Sequence, residues 1–195
     1  MRVTFRVDAS LKIGTGHVMR CLTLATALQK SGHHCDFICR KLEGHLGQEI
    51  SNKGFDLTLL PAPPPNFLPQ ADDTTHACWA EVPWELDSGQ TILAMGKSDF
   101  LIVDHYAFDA KWEKAAKPQG TQLIVIDDLA DRPHLCDLLL DQNLGRIASD
   151  YDDLLPVDCK LLIGPNFALL RPEFKELRPS SLARRKNASL NHVLI

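Results

Sequence analysis

Three segments of the chain, DFLIVDHY, TQLIVIDDLA and CDLLLDQN, each hold a short apolar run that ends in acids or amides. Runs of this kind suit strands buried on both faces, the condition of strands in a parallel sheet. The opening RVTFRVD places Val3, Phe5 and Val7 on one face, ends in an acid, and reads as the first strand. GHVMRCLTLATALQKSG then spaces Val18, Cys21, Leu22, Leu24, Ala25 and Leu28 as a helix does, with Gly32 as its stop. HCDFICR, GHLGQEISNKG and FDLTLLP predict a second strand, a second helix and a third strand; WELDSGQTILAMGK and DAKWEKAAKPQG predict further helices. LLIGPNFALLRPEF reads as a strand and a turn leading to another helix. Alternating strands and helices require right-handed crossovers, so the expected fold is α/β, a Rossmann-like doubly wound parallel sheet.

Two stretches break the alternation. PAPPPNFLPQADDTTHACWAEVP holds half of the twelve prolines and no clear period, so it reads as a surface loop near a functional edge. Its proline-rich start also fits a partner that reads PxxP. The final RPSSLARRKNASLNHVLI is basic and polar through Asn191 and then turns apolar at His192–Ile195. That ending fits the first strand of another domain, or an edge strand of the same sheet. The expected organisation is a Rossmann-like lobe over residues 1–178, followed over 179–195 by a linker and the first strand of a further lobe.

Composition narrows the function classes. The 195 residues carry 21 Lys and Arg against 25 Asp and Glu, a formal charge of −4, which argues against a nucleic-acid binder. A hydrophobic fraction of 45% suits a globular core, and no apolar run approaches the length of a membrane span. MRVTFRVDAS has the pattern of a strand and not of a signal peptide, so a cytosolic location is expected. Six cysteines lie without a CxxC pair and are expected as free thiols. Cys35 and Cys39 fall on one face of the second strand, as buried thiols or, less simply, as metal ligands.

Ligands of open α/β sheets bind at the carboxyl ends of the strands. Four such ends carry polar clusters here: Asp8-Ala9-Ser10, Asp104-His105-Tyr106, Asp127-Asp128 and Asp141-Gln142-Asn143. Any single one can be a helix cap, but four on one sheet point to a site. Gly14-Thr15-Gly16-His17 joins the first strand to the first helix, where glycines admit a close ligand and free N–H groups face an anion. The run is neither GxGxxG nor a P-loop, which leaves a phosphate or sugar-nucleotide reading. His17, beside a helix N-terminus that disfavours positive charge, is a candidate general base; a role in loop structure stands equally open. Arg20, one turn on, can face the same ligand or pair with an acid. Arg171 can reach a phosphate or cap a helix. Metal ligation by His17, His105 and an acid finds no supporting spacing.

Four blocks together, FRVDASLKIGTGHVMRCLTLA, IVDHYAFDAKWE, VIDDLADRPHLCDLLLDQN and LLIGPNFALLRPEF, resemble the pseudaminic acid biosynthesis hydrolases. These are UDP-2,4-diacetamido-2,4,6-trideoxy-β-L-altropyranose hydrolases, related to the MurG-type glycosyltransferases of GT-B fold. The resemblance implies two Rossmann-like lobes with the site between them. It implies cleavage of the bond from the anomeric carbon to UDP, with inversion and with no metal or other cofactor. It places the water-activating base at His17 and a sugar contact at Tyr106, with Lys12, Gly14 and Gly16 in the loop that approaches sugar and diphosphate; Thr15, between the two glycines, is expected to touch substrate as well. Asp8, Asp104, His105, Arg20 and Arg171 complete the expected substrate site. The expected partner is a small-molecule UDP-sugar, with no nucleic acid and no membrane. The chain ends where the family's second lobe begins, so the lobe alone is expected to fold but to hydrolyse poorly. Two other readings remain: a GT-B glycosyltransferase in which His17 deprotonates a sugar hydroxyl, and a sugar-binding lobe without catalysis.

Overall fold

The computed structural model describes residues 1–185 apart from Asn66. Seven strands, β1 (Arg2–Val7), β2 (His34–Arg40), β3 (Asp56–Leu60), β4 (Phe100–Asp104), β5 (Gln122–Ile126), β6 (Leu138–Asp141) and β7 (Lys160–Ile163), form one sheet in the order 3-2-1-4-5-6-7. Every pairing is parallel. The α/β, Rossmann-like expectation therefore holds. Strand order reverses between β1 and β4, and the carboxyl ends of those two strands form the crevice where open sheets take their ligands.

Helices α1 (Gly16–Lys30) and α2 (Gly47–Asn52) accompany one face, α3 (Trp84–Met95) and α4 (Ala110–Ala116) the other, and α5 (Pro172–Arg185) follows β7. On the first face Val18, Cys21, Leu22 and Ala25 of α1 pack on Val3, Phe5, Val7 and Phe37, the helical spacing read from the sequence. Cys35 and Cys39 are buried there as free thiols. On the second face Met95, Trp112 and Ala116 cover Leu101, Val103, Leu123 and Val125. Asp109 caps α4 by accepting from the N–H groups of Lys111 (2.9 Å) and Trp112 (3.3 Å).

Being central, β1 has its polar face covered as well. Thr4, Arg6 and Asp8 are as buried as Val3, Phe5 and Val7. Arg6 forms a two-point pair with Asp8 (2.7 and 2.9 Å) and another with Asp87 of α3 (3.1 and 2.6 Å). Arg40 of β2 also grips Asp87, and its N–H donates to Asp8 at 2.6 Å. Two buried cations thus face two buried carboxylates, which is what makes their burial tolerable.

Among the described residues no helix is long and apolar enough to cross a membrane. α5 runs through Pro179 to Arg185 and buries none of its residues. The strand expected at His192–Ile195 lies outside the described residues.

Candidate active site

The first loop of the site is built by Ser10 and Gly14. Ser10 Oγ accepts from the N–H of Lys12 (3.2 Å) and of Ile13 (3.0 Å), and the Gly14 N–H donates to the Ser10 carbonyl at 2.8 Å. The turn puts Gly14 at φ +80°, a conformation glycine adopts without a Cβ penalty. Gly16 opens α1, and a Cβ there would meet nothing within 4 Å. Thr15 occupies the N-cap without a side-chain cap bond, so that side chain leaves the first-turn N–H groups of α1 unclaimed.

His17 follows, buried, its ring Nδ1 2.5 Å from Asp104 Oδ1 at the end of β4. Arg20 closes on the same carboxylate with Nε 2.5 Å from Oδ2 and Nη2 2.6 Å from Oδ1, and its Nη1 reaches Asp128 Oδ2 at 3.0 Å. Burial alone would raise the Asp104 carboxyl, but the hydrogen bonds from Arg20 and His17 hold it well below the usual carboxylate range. An ionised carboxylate only accepts, so Nδ1 is the ring nitrogen that donates to it and Nε2 is left as the nitrogen Asp104 does not engage.

An aromatic wall surrounds this pair. The Tyr106 ring stands edge-on to His17, centroids 4.6 Å apart at 83°, and Trp79 lies 6.3 Å from His17 and 5.5 Å from Tyr106. His76 stacks edgewise on both Trp79 (4.8 Å) and Tyr106 (5.6 Å). The Tyr106 hydroxyl donates to Asp128 Oδ1, and burial together with that carboxylate pushes the phenol well above its ordinary value, so it remains a donor. Trp79 and His76 come from the proline-rich loop, which is tied down by Thr74 Oγ1 donating to the Ala107 carbonyl (3.1 Å) and by Lys12 pairing with Glu81 (2.8 Å).

The expected residues therefore separate into groups. His17, Asp104, Arg20 and Tyr106 are brought together at the crevice. Arg171 borders, with Gly16 and Arg20, a shallow cavity of about 190 Å³ beside that cluster, its guanidinium over Phe174. Lys12 is exposed and engaged with Glu81. Asp8 and His105, expected to touch substrate, lie beneath the site instead. Asp8 is fully buried and held by Arg6, and His105 Nε2 points at it from 3.3 Å, outside good hydrogen-bond geometry, while Nδ1 accepts from the Ala107 N–H at 3.1 Å. Burial lowers the His105 imidazole despite Asp8, which keeps it neutral. His17 and His105, weighed together as metal ligands, turn to different carboxylates.

Sequence reasoning did not single out Trp79, His76 or the role of Asp128. Asp128 appeared only as part of a strand-end cluster. The one available signal for Trp79 was an aromatic residue inside a long loop already assigned to a functional edge.

The class of protein comes from the fold. The chain is an α/β, Rossmann-like protein whose sheet resembles that of Acinetobacter baumannii MurG, with a TM-score of 0.51 over 82% of this chain and 44% of that one. At 10% identity that likeness concerns the fold alone, and it takes in less than half of MurG. The particular relative is the UDP-2,4-diacetamido-2,4,6-trideoxy-beta-L-altropyranose hydrolase of Campylobacter jejuni, 34% identical over 175 residues. The match takes in 89% of this chain and 53% of that protein, so the chain spans about half the length of the curated relative it matches. The resemblance carried by the four sequence blocks is thus a homology over most of the chain. No protein-family profile matches it.

Proposed function

We propose that this chain is the water-activating, N-terminal lobe of a cytosolic hydrolase in pseudaminic acid biosynthesis. The enzyme splits a UDP-linked 2,4-diacetamido-2,4,6-trideoxy sugar into free sugar and UDP, with inversion at C1. The observation that carries the reading is the His17–Asp104 pair at the switch point of the sheet, inside an aromatic wall, in a homologue of a named UDP-sugar hydrolase.

Asp104 holds the Nδ1 proton, and Nε2 removes a proton from water as the water oxygen attacks C1. The C1–O bond to the β-phosphate breaks on the opposite face of the ring, and UDP leaves as an anion. The imidazolium that forms is stabilised by Asp104. Trp79 and Tyr106 offer flat apolar surface to the sugar, and the Gly16 end of α1 offers N–H groups to the phosphates. Residues 179–185, expected as a linker, instead complete α5, and a second lobe matching the part of the relative that this chain does not span supplies most of the nucleotide contacts.

The test is UDP release from the 2,4-diacetamido sugar nucleotide, by this chain alone and by a protein extended to the relative's full length. Turnover is expected only in the extended protein, and His17→Ala should lower it by roughly 10² or more. Unchanged turnover removes His17 from the mechanism. Robust release by the 195-residue chain overturns the division of labour, and release that requires an acceptor sugar makes the enzyme a transferase.

A further inference from the structure

At the far edge of the sheet, away from the aromatic wall, Cys136 and Cys159 bring their Sγ atoms to 3.6 Å across 23 residues of sequence. Each cysteine stands just before a strand, Cys136 before β6 and Cys159 before β7, and the two strands begin pairing at Leu138 and Lys160. β7 is the last strand, held on one side only. Cys136 is buried in the core cluster that also holds Leu139 and Tyr151, whereas Cys159 is partly open to solvent. Cys21, Cys35 and Cys39 are buried elsewhere, and Cys78 is exposed in the proline-rich loop.

We propose that Cys136 and Cys159 form a dithiol modification site, converted by low-molecular-weight disulfides into a bond that staples β7 to β6. A disulfide needs sulfurs about 2 Å apart, so a small side-chain rotation closes the gap while the paired strands hold the backbones side by side. The Cys159 thiolate, the accessible one, attacks a sulfur of oxidised glutathione and expels one glutathione thiolate. Cys136 loses its proton to solvent and attacks the Cys159 sulfur of the mixed disulfide. The second glutathione thiolate leaves, and the Cys136–Cys159 bond forms. Two protein thiols are oxidised as one glutathione disulfide is reduced to two thiols.

Burial pushes both thiols above their ordinary value, so the exchange accelerates as pH rises from 7 to 9. The bond closes a loop that carries Asp141, Arg146 and Tyr151. Its main effect is on stability, because it restricts the unfolded chain.

The experiment uses the 195-residue chain with Cys78→Ser, incubated folded with oxidised glutathione at pH 9. The expected product is lighter by two hydrogens, yields one unreduced peptide pair joining Cys136 to Cys159, and melts roughly 6 °C higher until dithiothreitol is added. Cys159→Ser, at the partly exposed position, should fold and lose both the mass change and the thermal shift. A glutathione adduct that persists on Cys159 refutes the pairing. So does an unmodified pair under conditions that fully label Cys78 in the unsubstituted chain. Linkage without a rise in melting temperature refutes the staple.

Discussion

Replacing Asp87 with alanine tests the buried charge network beneath the site. Asp87 is fully buried on α3 and accepts six hydrogen bonds: two from Arg6, two from Arg40, one from Trp112 Nε1 at 3.0 Å and one from Thr91 at 3.3 Å. Without it, Arg6 keeps Asp8, but Arg40 keeps only the Pro61 carbonyl and the Gln90 amide oxygen, and one buried positive charge is left uncompensated. Removing one partner of a buried ion pair costs about 3–5 kcal/mol. That is a large share of the roughly 5–15 kcal/mol that holds a domain folded. For a chain of this size it corresponds to a fall of roughly 6–20 °C in melting temperature. Thermal and urea unfolding of the 195-residue chain measure it directly. Asp87→Leu combined with Arg40→Met removes one charge of each sign and should recover more than half of the loss, which a double-mutant cycle reads as coupling. A loss below about 1 kcal/mol for Asp87→Ala would refute the account of this network as the anchor of α3.

The two glycines of the first loop should respond oppositely. Gly14→Ala forces a side chain to φ +80° and should destabilise the fold by about 1 kcal/mol, whereas Gly16→Ala should stabilise it by about 0.5–1 kcal/mol yet raise KM in the extended protein. An unchanged KM would show that nothing approaches Gly16. Trp79→Ala should raise KM about tenfold, more than it lowers kcat, and move the melting temperature of the lobe by less than about 2 °C; an unmoved KM removes the ring from the sugar site. Stability should also fall on acidification in two stages. His105 is held neutral with its folded value below the unfolded one, so the unfolded state binds the extra proton below about pH 6.5 and costs up to about 1.4 kcal/mol per pH unit. Asp8, Asp87, Asp104 and Asp127 have depressed folded values, so their contribution is complete above about pH 4 and is lost as pH falls through those values. His105→Asn should flatten the first stage in urea titrations; an unaltered slope assigns it to another group.

The sheet was legible because burial on both faces writes itself as unbroken apolar runs. LIV before Asp104 and LIVI before Asp127 admit few other readings, and their polar ends mark the carboxyl edge of the sheet. The crevice was legible for the same reason, since strand order places the ends of β1 and β4 side by side. β1 was only half legible. Its alternation hid the burial of Thr4 and Arg6, whose partners, Asp36, Ser98 and Asp87, lie 32 to 94 residues away in the chain. Asp8 and His105 were misassigned for a related reason. A strand-end acid and the residue after Asp104 look alike whether they face solvent or face inward, and alternation along β4 and its extension turns His105 away from the side that Asp104 and Tyr106 serve. Trp79 and His76 carry no local period, and the long loop's ties to Lys12, Ala107 and Lys111 bring them over Tyr106.

The charges of the site bear on where the leaving group of the proposed reaction would sit. Around His17 stand two carboxylates, Asp104 and Asp128, and one guanidinium, Arg20, a balance of one negative charge while the imidazole is neutral. The layer beneath is self-neutralising, with Arg6 and Arg40 set against Asp8 and Asp87. A proton arriving on Nε2 therefore brings the cluster to neutrality, which favours a base that becomes cationic during attack. The same excess repels a diphosphate: one unit charge at about 6 Å in an environment of effective dielectric near 20 costs about 3 kcal/mol. The proposed inverting reaction would remove the conflict, because in it the attacking water and the departing phosphate occupy opposite faces of the sugar ring. In that reaction the acidic cluster would belong to the water side. The phosphate side would fall to the Gly16 end of α1 and to Arg171, which no carboxylate engages among the described residues.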